Sequence, residues 1–359
     1  MSKVLFETHH LYYWPNFLPI ILEMKSRLNY DIYASMPIRS SKIEYAQFLI
    51  ACTEAGVKTI ESDSERNRIN KIIKNEFSII IVGNIGQLNQ LVTSKTLAVM
   101  VYHGIGLKKS YYTDINDRIN LRSVESESRY DELKKMGYEN LVLTGFTKLD
   151  LLFDESNYDI VQLKKELDLD PNKKTILYAP SFYPSSIEKL VPEFISLSKE
   201  YNILIKLHSF SWLQERYLHQ SEQCIRVSKN YRSVKLLKND SINIIPYYIL
   251  SDLLISDISS TIFEFLPLDK PIIQAECFSL RLKHKIFSKR FWKRLDVERM
   301  MDVDFVYKIV DPSDLYSRVQ YSLEYPHEME VNRQNACKYY LYKNDGKASF
   351  RLVNAIEAI

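Results

Sequence analysis

Short apolar runs of four to six residues alternate along this chain with longer stretches whose apolar positions recur every three or four residues. The first kind reads as buried parallel strands, the second as amphipathic helices. In the first half the pattern predicts strands at residues 3–6, 31–34, 57–60, 77–82 and 97–102, with helices at 16–27, 43–55 and 66–75. A helix over 127–136, closed by Gly137, precedes a strand at 141–143. Residues 154–159 are polar and aperiodic, which marks a linker. The second half predicts strands at 175–179, 202–207, 250–255 and 271–273, with further strands at 234–237, 242–245 and 305–310. Helices are expected at 161–167, 191–200, 262–266, 314–323 and 347–359. Strands alternating with helices at this spacing specify an α/β protein whose parallel sheets are covered on both faces. Two similar halves facing a central cleft is the simplest arrangement. The boundaries are 1–157 for the acceptor-side domain, 158–335 for the nucleotide-donor domain, and 336–359 for a terminal helical segment packing back toward the cleft.

A chain of 359 residues fits two such domains. The net charge of +3 gives no bulk attraction for nucleic acid, and the sheet region carries no aromatic-basic stacking platform, so nucleic acid is excluded as a partner. Cys52, Cys224, Cys277 and Cys337 are scattered with no paired spacing, which argues against structural zinc and fits a reducing cytosol. The first residues read as a strand interrupted by Glu7 and His9 rather than as a signal peptide. No run approaches the roughly 20 apolar residues of a membrane span. A cytoplasmic protein, peripheral at most, is expected.

Ligands of parallel α/β sheets bind where strands end at their carboxyl side. Polar turns fall at three such ends: His103-Gly104, Lys206-Leu207-His208, and residues 257–261. The last turn holds Asp257, Ser259, Ser260 and Thr261 between an apolar strand and a helix. Amides at a helix start receive phosphate, and the hydroxyls add donors without adding charge. The same serines serve equally well as helix caps. A histidine after one strand is commonly structural, whereas His103 and His208 at two strand ends shift the balance toward chemistry. His9 and His10 also follow a strand.

Read together, Tyr102-His-Gly-Ile-Gly-Leu-Lys108, Leu143-Thr-Gly-Phe146 with Asp150, Ile176-Leu-Tyr-Ala-Pro180, Ile205-Lys-Leu-His208, residues 252–260 and residues 344–349 resemble the CDP-glycerol glycerophosphotransferase family of teichoic acid primases and polymerases. The motifs stand in the family's order from about residue 100 onward. The resemblance implies a GT-B-like fold of two Rossmann-like domains with the site between them. It also implies transfer of glycerol phosphate from CDP-glycerol to an acceptor hydroxyl, with release of CMP. The chain departs from the family at Ile105-Gly106, where Thr-Pro is usual, and at Lys148, where arginine is usual. CDP-ribitol or another CDP-alditol therefore stays open as donor, and a GT-B glycosyltransferase using a nucleotide sugar is the alternative.

By this resemblance His103 is the general base, and an imidazole near its ordinary pKa of about 6.5 suits that task. His208 and Lys206, with Ser259, Ser260 and Thr261, would hold the pyrophosphate and neutralise the departing CMP. Asp257 either orients a histidine or caps the turn. Gly104, Lys108, Pro180 and Ser181 would line the site, and Glu264 would reach a ribose hydroxyl or remain solvated. Lys347 and Ser349 close over phosphate if the terminal helix returns to the cleft. No cofactor is required; Mg2+ can accompany the donor pyrophosphate. Residues 281–299 hold eight Lys/Arg against two acidic residues, interleaved with Leu282, Ile286, Phe287, Phe291, Trp292 and Leu295. Lys285, Lys289, Arg290, Lys293 and Arg294 would meet an anionic membrane surface or a polymer or lipid-linked acceptor, unless the aromatics simply pack on the core.

Overall fold

The computed structural model describes residues 1–38, 41–105, 117–153, 158–286 and 303–359. They form two compact units. One holds Met1–Gly104, the described part of Ser110–Asp154, and Tyr339–Ile359. The other is built from the described parts of Ile105–Lys109 and Glu155–Lys338.

The first unit carries a seven-stranded sheet: β1 (Ser2–Glu7), β2 (Tyr30–Ser35), β3 (Lys58–Thr59), β4 (Ile79–Val82), β5 (Leu97–Val101), β6 (Leu121–Val124) and β7 (Leu141–Leu143). Its order is β3-β2-β1-β4-β5-β6-β7, every pairing parallel. The order reverses between β1 and β4, the place where such sheets open a crevice at their carboxyl edge. Glu7 lies beside Ser35 and Val82, and Val82 beside Met100, so Thr8, Gly83 and Tyr102 leave the sheet at one edge. All four residues of β4 are buried, as expected for a strand covered on both faces.

The second unit repeats the plan with β8 (Thr175–Tyr178), β9 (Asn202–Ile205), β10 (Val234–Leu236), β11 (Leu253–Ser256), β12 (Ile272–Ala275) and β13 (Tyr307–Ile309). The order is β10-β9-β8-β11-β12-β13, again parallel. Tyr178 pairs with Ile205 and Ile255, which sends Ala179, Lys206 and Asp257 out of the same edge. Ile176, Tyr178, Ile203, Ile205, Leu253 and Ile255 form one apolar face of the sheet, against Leu190, Val191 and Phe194.

Several elements differ from their sequence reading. β6 is a strand that the pattern passes over because it holds Arg122. That guanidinium is buried, donates to the Tyr102 hydroxyl and lies 4.8 Å over the Tyr138 ring. Residues 242–245 form no strand; Pro246, which brings no N–H to a ladder, sits in the first turn of the helix Ile245–Leu250. The sequence reading also passes over the polar helices Leu218–Asn230 and Glu330–Tyr340, the second of which carries only a weak apolar stripe. The expected helix at 191–200 is reduced to single turns, Val191–Glu193 and Phe194–Leu197.

The terminal helix, Ala348–Glu357, belongs to the first unit. Asp150 fixes its start by accepting the Ala348 and Ser349 amides at 2.9 and 2.7 Å. At its other end Glu357 accepts from the Tyr30 hydroxyl at 2.9 Å and pairs with Arg27.

Candidate active site

In the first unit, β5 runs directly into His103, which is half-buried at the carboxyl edge. Its Nδ1 lies 3.0 Å from the Gly83 carbonyl oxygen, at the end of neighbouring β4. A carbonyl only accepts, so Nδ1 carries a proton, and in the neutral ring Nε2 is then the acceptor nitrogen. The ring packs against Tyr13 at 4.4 Å between centroids and against Tyr12 at 5.6 Å. Gly104 is buried behind it, and Lys108 lies outside the described residues. His9 is buried under Gly86, while His10 stacks on Tyr12 and stands 3.4 Å from Glu44.

His208, in the second unit, has the opposite polarity. It follows β9, and its Nδ1 accepts the backbone N–H of Phe210 at 3.1 Å. The neutral ring therefore carries its proton on Nε2, which makes it a donor. Phe182 and Phe210 brace the ring at 4.8 and 4.9 Å. Lys206, half-buried, points its ammonium near the Leu207 carbonyl at 3.4 Å.

The hydroxyl turn after β11 is more differentiated than its sequence. The helix that follows, Thr261–Glu264, is a single turn, so little dipole accumulates at its start. Thr261 turns its hydroxyl inward, between Ser256 Oγ at 2.8 Å and the Ala179 carbonyl at 3.2 Å. Ser260 donates to Glu264 Oε1 at 3.1 Å. Ser259 Oγ accepts the Thr261 amide N–H at 3.4 Å and lies 3.1 Å from the Thr261 hydroxyl. Thr261 thereby locks the turn.

Four of the residues expected at the site turn their polar groups inward. Asp257 is fully buried and accepts from the Ser181 amide at 2.7 Å and from the Ser186 amide and hydroxyl at 3.0 Å each. It ties two loops together. Burial pushes its carboxyl up to about 7, against the opposing pull of the amides. Ser181 is likewise turned inward, its hydroxyl donating to the Pro184 carbonyl at 2.7 Å beside buried Pro180. Glu264 is buried, neither solvated nor open to a ribose; it holds the hydroxyls of Ser260 and Tyr248. Ser349 is buried and belongs to the first unit, its amide committed to Asp150. Burial raises the Asp150 carboxyl from its ordinary value. Lys347, next to it, is exposed.

Of the basic stretch, Lys285 is exposed on the short helix Leu282–Ile286, as are Leu282 and Ile286. Lys289, Arg290, Lys293 and Arg294 lie outside the described residues. Among the described residues no helix is long and apolar enough to cross a membrane, and no group of three His, Cys, Asp or Glu is placed to hold a metal.

Sequence reasoning missed Gly83 and Tyr13, which contact His103, and Asn84, which holds the Tyr13 hydroxyl. Their involvement follows from β1, β4 and β5 being neighbours, which no local motif records.

Residues 94–358 match the family model described as CDP-Glycerol:Poly(glycerophosphate) glycerophosphotransferase. The chain is 25% identical over 251 residues to a teichoic acid poly(ribitol-phosphate) polymerase of Bacillus spizizenii, covering 67% of this chain and 37% of the relative. It is 28% identical over 222 residues to the teichoic acid glycerol-phosphate primase of the same organism, covering 54% and 55%. The chain thus spans about a third to a half of the length of these curated relatives. The solved wall teichoic acid polymerase TagF superposes with a TM-score of 0.70 at 15% identity, over 99% of this chain and 88% of that one. This places the fold in the GT-B class.

Proposed function

The chain belongs to the CDP-glycerol:poly(glycerophosphate) glycerophosphotransferase family, and from that premise we propose that it transfers a phosphoalditol unit, glycerol phosphate or ribitol phosphate, from a CDP-alditol to an acceptor hydroxyl. The observation that carries the reading is the Nδ1 bond from His103 to Gly83, which leaves a basic Nε2 at the carboxyl edge of a Rossmann-like sheet.

In the proposed step, the acceptor oxygen forms a bond to the β-phosphorus as the bond from that phosphorus to the bridging oxygen of CMP breaks. His103 Nε2 receives the hydroxyl proton, and CMP departs with the bridging electron pair. On the family resemblance, neutralisation of the departing charge is proposed for the Nε2–H of His208, the ammonium of Lys206 and the hydroxyl of Ser259. No protein-held metal enters the step, and Mg2+ can arrive with the donor pyrophosphate.

The acceptor is a phosphopolymer or its lipid-linked precursor, and the protein works in the cytoplasm at the inner face of the membrane. Exposed Leu282, Lys285 and Ile286 support that placement, since apolar tips beside a cation suit an anionic surface. Purified protein incubated with CDP-glycerol or CDP-ribitol and a glycerol phosphate oligomer should release CMP, read by mass spectrometry. Absence of CMP with both donors, under conditions where the protein is folded, overturns the proposal.

A further inference from the structure

Around His103 the first unit holds a frame drawn from two other strand ends. Gly83 supplies the carbonyl that accepts the Nδ1 proton. A Cβ at Gly83 would come within 3.0 Å of the Tyr13 ring, so glycine is what allows that ring to lie on the backbone there. Tyr13 is buried and meets the imidazole at 4.4 Å with 47° between planes. Its hydroxyl accepts from Asn84 Nδ2 at 2.6 Å. The turn Leu11–Tyr13 that carries it is pinned by buried Glu44, which accepts the Leu11 amide at 2.9 Å.

We infer that the Tyr13 ring, seated on Gly83, positions His103 and fixes its Nδ1–H tautomer. Both elements are needed. An imidazole rotated about its Cβ–Cγ bond would lose the Gly83 carbonyl, and the Tyr13 face resists that rotation. Truncating Tyr13 lets the ring rotate, populate the Nε2–H form and lose its basic atom at Nε2. All three residues precede residue 94, where the family match begins, so the base lies inside the matched stretch and its frame outside it. The inference rests on His103 being the base.

The test uses the full chain labelled with 15N-histidine, with long-range proton–nitrogen spectra recorded at about pH 8, where an ordinary histidine is neutral. Wild type should show His103 as a single Nδ1–H tautomer. Tyr13→Leu should show mixed tautomers and a fall in kcat of about tenfold or more, with KM for CDP-glycerol within about twofold. Tyr13→Phe keeps the ring and loses only the Asn84 bond, so it should retain the tautomer and rescue most of kcat. Asn84→Ala should resemble Tyr13→Phe, and these two variants carry the test should Tyr13→Leu fail to fold. A single Nδ1–H tautomer with unchanged kcat in Tyr13→Leu overturns the inference. So does a loss in Tyr13→Phe as large as that in Tyr13→Leu, or, should Tyr13→Leu not fold, loss of the single tautomer in Tyr13→Phe or Asn84→Ala. If His103→Ala transfers at the wild-type rate, the assignment of the base fails instead, while the spectra still report whether Tyr13 sets the tautomer.

Discussion

The imidazole of His103 gives its Nδ1 proton to the carbonyl of Gly83 across 3.0 Å. That single bond decides which nitrogen is basic, and it predicts the result of removing the ring. His103→Ala should lower kcat by about a hundredfold to ten-thousandfold, the usual worth of a positioned base. Donor affinity, read by calorimetric titration with CDP-glycerol, should hardly change. Equal losses in affinity and rate would instead mark His103 as a binding residue.

The three hydroxyls after β11 should separate on substitution. Ser259→Ala removes a donor to a charged group and should cost kcat/KM about tenfold to a hundredfold, matching about 1.5–3 kcal/mol for such a bond. Thr261→Val removes one hydrogen bond each from the Ala179 carbonyl and Ser256, which keep their bond to each other, and should act on the melting temperature more than on KM. A larger kinetic loss in Thr261→Val than in Ser259→Ala would reverse this ranking.

Asp257 should make stability depend on pH. Its folded carboxyl is raised to about 7 while the unfolded one titrates near 4. The folded state therefore binds the proton more tightly between these values. Stability from this group is full below about pH 4 and is lost as pH rises to about 7, after which it levels off. Asp257→Asn should flatten that slope in calorimetric melts. It should also lower stability by about 1–3 kcal/mol, because an amide nitrogen then opposes one of the Ser181 and Ser186 donors.

Glu7 and Arg68 form an ion pair with both side chains out of solvent, the guanidinium 2.9 Å from the carboxylate and Ser35 donating to the same group. Removing one member strands the other. Arg68→Ala should destabilise by about 3–5 kcal/mol in denaturant titration, whereas the double replacement Glu7→Gln with Arg68→Met should recover much of that loss. Additive losses would contradict the pairing.

Much of this architecture is legible along the chain, for identifiable reasons. β5 is wholly apolar and β9 and β11 carry three apolar residues in a row, and a polar turn after such a run marks a strand's carboxyl end, which is how His103, His208 and the 259–261 turn are found. β6 is hidden because Arg122 looks like a surface residue until Tyr102 and Tyr138 are seen around it. Asp257 and Ser181 read as site residues because a polar turn does not disclose which groups satisfy one another inward. Tyr13 is invisible because only the β1-β4-β5 adjacency brings it to His103.

The first unit is closed by residues separated in the chain by the whole of the second, with Asp150 gripping the start of Ala348–Glu357. During synthesis the ribosome has therefore made every strand of the later sheet before the earlier one receives its last helix. Until then the apolar side of that helix's seat, beside Trp14–Ser26, stays open to water and to chaperones. The lobe that begins first is the one completed last.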